Sequence, residues 1–454
     1  MYIVIVGDGK VGYNLAKHLS QEGNDVTVID KSLDALKRAM DNLDVMCIRG
    51  NGTSVNVLKE AEVKNADVVI AVTDSDERNA LCCLAAKKLG AHHTIARIRD
   101  PEYAEELSML KEELEIDMVI NPEKEAAMEI AQLIKFPSVS SIENFADGKA
   151  DLVSFRLGEE DTIVGKSVSD IDLKNCSVLF CAVERGEKVL IPTGDFVLQG
   201  NDKVYVIGDH PNITSFLQYL GKYQKSIKNV MIMGGGRISY YLTKLINKSG
   251  VRIKIIEKSY DKCQELNELL PEAIIINGDG TEEELLESEN LNESDAFIAL
   301  TGRDEENIIS SLFALNSNIH NVITKITRVN YNDIVKKVGV ESVISPKMLT
   351  ANKIIRYVRG LKNKQGNFIE NLYKIVGDKA EALEFVANET TTCIDIPLKD
   401  IKIKKGVLVA CIVRDHNIII PGGNDSIKNG DSVIIVTERK HVADINDILL
   451  GGEV

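Results

Sequence analysis

The 454-residue chain carries 54 Lys and Arg against 69 Asp and Glu, and its formal charge of −15 argues against nucleic acid as a partner. The length suits about three or four domains, and 44% hydrophobic residues are enough for sizeable cores. No apolar run approaches the ~18–20 residues of a membrane span, and the chain enters an expected strand at Tyr2, which leaves no room for a signal peptide.

The first quarter alternates short apolar runs with helical stretches. Strands are predicted at Ile3–Val6, Asp25–Ile29, Val45–Ile48, Val68–Val72, Thr94–Ile98 and Met118–Ile120. Helices are predicted between them, at Asn14–Gln21, Leu33–Asn42, Val55–Ala61, Glu77–Lys88 and Tyr103–Leu110. Continuous apolar strands separated by helices indicate a parallel sheet covered on both faces, hence a Rossmann-like doubly wound domain over residues 1–121. A helix with an apolar stripe at Ala127, Ile130, Ala131 and Ile134 follows, and it packs either on its own domain or across to a neighbouring one. Residues 140–224 then turn β-rich, with strands at Val178–Val183, Val189–Ile191 and Lys203–Ile207, which predicts a small α+β domain.

The second half repeats the first. Gly7 and Asp30 map to Gly234 and Glu257 by a shift of 227, Thr73 and Asn79 to Thr301 and Asn307 by 228, and Pro122 to Pro346 by 224. A second Rossmann-like domain is expected at 227–345. A second striped helix follows with Ala351, Ile354, Ile355 and Val358, then a second α+β domain at 366–450. Its strands fall at Val407–Val413, Asn417–Ile420 and Ser432–Val436. The eight cysteines show no Cys-x-x-Cys spacing and mostly lie in apolar runs, so reduced core residues are expected and no metal site.

The chemistry concentrates at the strand-to-helix turns. Gly7-Asp8-Gly9-Lys10-Val11-Gly12 follows a strand and opens a helix; such glycines permit a tight turn, close backbone approach to a diphosphate, and close helix–strand packing. Asp30 ends the next strand 18 residues after Gly12, where a carboxylate can hold ribose hydroxyls and would repel a 2′-phosphate. NAD(H) is thus favoured over its phosphorylated form, while the ribose of ATP or ADP would suit Asp30 equally. Asn51 lies in the third-strand turn where it could face adenine, and Thr73 and Asp74 open the fourth helix, one of them as a possible cap. Arg97 sits among apolar neighbours and needs an anionic partner, either a ligand phosphate or a carboxylate. The second copy offers Gly234, Gly235, Gly236, Arg237 and Ile238 at the turn, with Glu257, Asp279, Thr301 and Gly302 around it. It departs from the pattern at Ser239 in place of the third glycine and Lys325 in place of Arg97, and Arg237 would add a cation at the phosphate position.

These motifs in this order resemble the regulator of potassium conductance family, RCK or KTN, over essentially the whole chain. The resemblance rests on the GDGKVG turn, Asp30, Thr73 through Asn79, Arg97 with Pro101-Glu102-Tyr103, and the β-rich closing domains. It implies a nucleotide-binding regulatory subunit rather than an enzyme. Such a subunit forms a homo-oligomeric cytoplasmic ring at the inner face of the membrane, beneath a separate Trk-type potassium transporter. NAD(H), or in relatives ATP or ADP, would bind the residues named above in both copies, without catalytic residues. An NAD-dependent oxidoreductase with a duplicated dinucleotide-binding domain is the alternative. Its general acid or base would have to come from histidines that mostly lie in polar contexts, such as His92-His93 after Gly90.

Overall fold

The computed structural model describes residues 1–101, 103, 115–137, 139–146, 148–173, 176–186, 188–222, 227–247, 250–328, 331, 335, 337–340, 342–362, 369–375, 379–415, 417–438, 442 and 444–450. The chain divides into two compact units, Met1–Ala131 with Ile227–Val358, and Gln132–Ser226 with Arg359–Val454. The expected helix Tyr103–Leu110 lies outside the described residues. No helix among the described residues is long and apolar enough to cross a membrane.

The first unit holds both parallel sheets. In the first half, strands β1 (Tyr2–Val6), β2 (Asp25–Asp30), β3 (Met46–Arg49), β4 (Val68–Ala71), β5 (His93–Arg97) and β6 (Met118–Ile120) stack in the order β3-β2-β1-β4-β5-β6. Every pairing is parallel. The intervening helices are α1 (Lys10–Gln21), α2 (Leu33–Asn42), α3 (Val55–Glu60) and α4 (Asp76–Leu89). Ile3, Val4, Ile5, Val68, Val69 and Ile70 have no exposed surface, as strands covered on both faces require. Helix α1 begins at Lys10, not at Asn14, because the helix opens directly on the glycine turn: Tyr13 N–H already donates to Gly9 O at 2.9 Å.

Helix α5 (Pro122–Lys135) carries the chain out of this half. Strands β7 (Ser141–Phe145), β8 (Ala150–Arg156), β9 (Val178–Arg185), β10 (Lys188–Leu190) and β11 (Lys203–Gly208) follow, then helix α6 (His210–Tyr219). The second half repeats the first with β12 (Asn229–Met233), α7 (Arg237–Ile246), β13 (Arg252–Glu257), α8 (Tyr260–Leu269), β14 (Ile274–Asn277) and α9 (Glu283–Ser288). It continues through β15 (Ala296–Ala299), α10 (Asp304–Asn316), β16 (Asn321–Lys325), β17 (Ser342–Ile344) and helix α11 (Pro346–Lys362). The sheet order β14-β13-β12-β15-β16-β17 reproduces that of the first half.

The two Rossmann-like halves pack on one another. Lys353 of α11 pairs with Glu125 of α5 at 2.5 Å, and Tyr357 of α11 meets the ring of His93 on β5 edge-on at 6.3 Å. Asn121 Nδ2 donates to the Tyr241 hydroxyl at 2.9 Å. Ala351, Ile354, Ile355 and Val358 of this second striped helix are buried, and its Lys353 and Tyr357 reach the opposite half.

The second unit contains two antiparallel sheets of five strands, β10-β9-β11-β8-β7 and β18-β19-β22-β20-β21. The latter comprises β18 (Ile369–Ile375), β19 (Ala380–Val386), β20 (Val407–Arg414), β21 (Asn417–Ile419) and β22 (Ser432–Thr437). Sequence reading finds three strands in each closing domain and misses β7, β8, β18 and β19. Strand β8 is buried at six of its seven positions, so it lacks the period-two alternation that would mark a half-exposed strand. Its apolar residues join one core with the other sheet, where Leu152, Cys181 and Tyr205 pack with Ala382, Cys411 and Ile434. All eight cysteines are free and all but Cys47 are buried.

Each closing domain is locked by the same ion pair. Arg185 makes two bonds to Asp202, at 2.8 and 2.7 Å, and Arg414 makes two to Asp431, at 2.9 and 2.7 Å. The aspartates are essentially inaccessible and also accept backbone N–H groups, from Gln199 and Lys428. Removing the arginine would strand a buried carboxylate. Arg414→Met is expected to destabilise the protein by about 2 kcal/mol, discounted for the partly exposed guanidinium, as measured by urea unfolding.

Candidate functional site

In a doubly wound sheet the strand order reverses beside β1, and a crevice opens at the carboxyl ends of β1 and β4. In the first half this crevice has a volume of about 550 Å³. It is lined by Gly7, Asp8, Gly9, Lys10 and Val11 of the turn, by Asp30 and Asn51, and by Thr73, Asp74 and Arg97. The fold therefore brings together all ten first-copy residues singled out from the sequence.

The three turn glycines are needed for different reasons. Gly7 adopts φ +103°, and a Cβ there would lie 3.0 Å from Thr73 N. At Gly12 a Cβ would sit 1.8 Å from Gly7 O, so no side chain fits between helix and strand. Gly9 is different: its φ of −68° suits any residue, and no atom lies within 4 Å of its absent Cβ. Nothing in the protein demands glycine at that position, and the cleared space opens into the crevice. Gly236 repeats this in the second half, with φ −84° and open space.

The Asp30 carboxylate accepts the N–H of Asp8 at 2.6 Å with one oxygen and that of Ser32 at 2.7 Å with the other. It thus clamps the glycine turn while keeping lone pairs for further donors. The helix-capping expectation is corrected. The N-cap of α4 is Ser75, whose Oγ accepts Arg78 N–H, whereas exposed Asp74 pairs with Arg78 at 2.8 Å. Thr73 is held by Asn79, which receives its N–H at 2.8 Å and its hydroxyl at 2.7 Å, and Asn79 Nδ2 bonds Arg97 O at 2.8 Å. The fully buried Asn79 thereby ties the ends of β4 and β5 together. Arg97 has no carboxylate hydrogen bond among the described residues. It donates to Thr73 O, while its buried Nε lacks a partner, and burial lowers its pKa.

The second crevice is smaller, about 390 Å³, and is lined by Gly234, Gly235, Gly236, Glu257, Asp279, Thr301, Gly302 and Lys325. Glu257 accepts Gly235 N–H and Ser259 N–H, each at 2.8 Å, repeating the role of Asp30. Asp279 pairs with Lys258 at 2.5 Å and is held at about 2 by that bond and by Thr281. Two expected residues lie elsewhere. Arg237 and Ile238 line an adjoining cleft of about 330 Å³ between the halves, which shares Gly236, Leu300 and Lys325 with this crevice and also holds Arg97, Arg99, Glu123 and Lys347. Arg237 reaches Asp100 of the first half at 3.3 Å, drawn there by opposite charge. Ser239 stands where Gly12 admits no Cβ in the first half, and its buried hydroxyl donates to Gly234 O. Sequence reading also missed Lys347, which lines the first crevice from the second half; the shift of 224 places it opposite Glu123. None of the described histidines lines either crevice.

Residues 3–122 and 230–346 each match the TrkA-N domain, and residues 152–221 and 382–450 each match the TrkA-C domain. The Trk system potassium uptake protein TrkA homolog 1 of Methanosarcina mazei is 34% identical over 453 residues, spanning 98% of this chain and 99% of its own. The chain belongs to the TrkA family. TrkA of Vibrio alginolyticus is 31% identical over 454 residues, 98% of each chain. Among solved structures, the GsuK RCK domain superposes with a TM-score of 0.61 at 16% identity, over 96% of this TrkA-family chain and 92% of that one. The GsuK channel bound to NAD gives 0.63 at 16% identity, over 96% and 76%. The RCK fold is therefore shared.

Two outcomes follow from the turn geometry. Gly12→Ala forces a Cβ against Gly7 O and is expected to cost at least ~2 kcal/mol, whereas Ser239→Ala loses one hydrogen bond, about 1 kcal/mol, in thermal unfolding. Asp8, whose carboxylate is buried with neither oxygen bonded, has its pKa raised to about 6 by burial, aided by Asp30 and opposed by Arg38. A carboxyl with a raised folded-state pKa weakens the fold as pH climbs from the unfolded value of 3.8 through about 6. Asp8→Asn is accordingly expected to stabilise the protein by roughly 1–3 kcal/mol at pH 7, the difference vanishing below about pH 4.

Proposed function

We propose that this chain is the nucleotide-sensing regulatory subunit of a Trk-type potassium uptake system. In this reading it assembles as a homo-oligomeric ring against the cytoplasmic face of a separate membrane transporter. NAD(H) or an adenine nucleotide occupies the Rossmann-like crevices. The observation that carries the reading is the open space at Gly9 and Gly236, kept free where no protein atom requires it, beside a carboxylate that ends the neighbouring strand in each half. Helix N-terminal amides at such a turn suit a diphosphate, and Asp30 and Glu257 suit ribose hydroxyls. The TrkA relatives are named for potassium uptake, and GsuK has been solved with NAD and with ADP, which supports the same ligand class here.

Regulation requires a ligand that prefers one arrangement of the halves. A ~100-fold preference supplies about 2.7 kcal/mol per site at saturation, and several sites in a ring multiply the bias. The crevices contribute binding, orientation and charge, and the packing of the halves through α5 and α11 conveys which arrangement is favoured.

The test pairs binding with transport. In calorimetric titration, NADH and ATP are expected to bind the full chain, and Asp30→Ala with Glu257→Ala to weaken binding by about tenfold or more, each losing a charge-assisted contact. Potassium uptake in cells carrying the double variant should then lose its nucleotide dependence. Uptake that still follows nucleotide level would remove the sensor role.

A further inference from the structure

The halves share a fold but not a charge pattern. The first crevice is lined by five cationic residues, Lys10, Lys31, Arg78, Arg97 and Lys347, against the three carboxylates Asp8, Asp30 and Asp74. The second has three of each: Lys258, Lys262 and Lys325 against Glu257, Asp279 and Glu306. Two exchanges at equivalent positions carry much of the difference. Arg78 maps to Glu306, and Glu123 of the first half maps to Lys347 of the second. Each of the latter pair sits at the start of a crossing helix and faces the opposite half.

Lys347 reaches the glycine-turn end of the first crevice, where Lys10 on α1 and Arg97 on β5 lie beside it, with Asp304 on α10 as the nearby counter-charge. Among the described residues neither Lys347 nor Lys10 forms an ion pair, and the Arg97 Nε is buried without a partner. Lys10 and Arg97 repel the Lys347 ammonium against the pull of Asp304, while Glu123, Asp76 and Asp74 act on Arg97, and the phosphate end of a nucleotide would relieve the repulsion that remains. Glu123 lies in the cleft between the halves with Arg97 and Lys347 as well as Lys325 and Arg237, and its carboxylate acts on Arg99, Arg237, Arg97 and Lys325.

We infer that Lys347 of the second half is a phosphate-binding residue of the first crevice, so that this site is completed only when the two halves are packed together and takes more phosphate charge than its counterpart. The inference rests on the first crevice being a nucleotide site. It makes the phosphate end of that ligand the point at which the second half detects occupancy of the first. Burial, and then Lys10, lower the Lys347 pKa to about 8 in the ligand-free protein. An anion beside it restores the charged form, so binding at about pH 8 takes up protons, and affinity falls as pH rises through that range.

The experiment is calorimetry on the full chain carrying Glu257→Ala, which weakens the second crevice and so resolves the first, with AMP, ADP, ATP and NADH as probes in buffers of different ionisation enthalpy. Lys347→Met is expected to weaken ATP by about tenfold or more and AMP by much less, and to abolish the proton uptake at pH 8, while Lys347→Arg retains the ATP affinity. If none of the probes binds the Glu257→Ala protein, the nucleotide reading itself is wrong. If they bind and Lys347→Met leaves both the ATP-to-AMP ratio and the proton uptake unchanged, Lys347 is not a phosphate ligand and the inference is overturned. Loss of all four nucleotides alike, with Lys347→Arg equally defective, would indicate a packing role and overturns it too.

Discussion

The turn between β1 and α1 has no steric slack, and the rest of the site depends on that. Gly7 must be left-handed to bring α1 onto the sheet, and Gly12 must lack a Cβ because Gly7 O occupies its place. With helix and strand this close, the first-turn amides of α1 and the end of β4 meet across one narrow crevice. The Asp30 carboxylate fixes the turn by accepting N–H groups on both of its sides, so the group suited to sugar hydroxyls also holds the phosphate loop in shape. Glu257 does the same in the second half, and there Ser239 replaces steric exclusion with a hydrogen bond to Gly234 O. One geometry is reached by two local solutions.

Duplication preserves backbone more strictly than charge. Asn79 and Asn307 make the same bonds, to Thr73 and Arg97 O in one copy and to Thr301 and Lys325 O in the other, because both sheets need the ends of two strands tied. Asp76 and Asp304 likewise each accept two successive backbone N–H groups past the fifth strand of their sheets. These contacts belong to the fold and tolerate no exchange of sign. Side chains that face the crevices are free of that constraint, and there Arg78 and Glu306, or Glu123 and Lys347, differ in charge. Two halves that began equivalent have become electrically distinct, and electrical distinction is what lets two sites respond to ligands differently.

The second unit answers a different requirement. Its two antiparallel sheets share an apolar core, and buried Glu384 of one domain accepts the Ala146 N–H of the other, as well as the Ser432 hydroxyl of its own. The buried carboxylates among the described residues here are anchored: Asp202 and Asp431 by bidentate arginines, Glu384 by backbone and hydroxyl donors, Asp151 by Asn144, and Glu381 by Arg359. Such groups contribute orientation more than stability, since an apolar replacement of the whole pair would pack as well. Glu384, whose contact crosses between the closing domains, makes one pairing of them specific.

Much of this was legible in the residues alone. Continuous apolar strands, the spacing of glycines and the acid 18 residues beyond them determine a duplicated Rossmann-like domain with a crevice at each turn, because local sterics and hydrophobic period are properties of short segments. The ten first-copy positions around that crevice followed from these local rules together with the family resemblance. The buried strands β8 and β19 did not, since residues covered on both faces lose the alternation that reveals a strand. Nor did the turning of Arg237 away to Asp100, or the arrival of Lys347 in the first crevice from 250 residues beyond Arg97. Both depend on how the halves pack, and long-range charge pairing is set by that three-dimensional approach, which no spacing along the chain encodes.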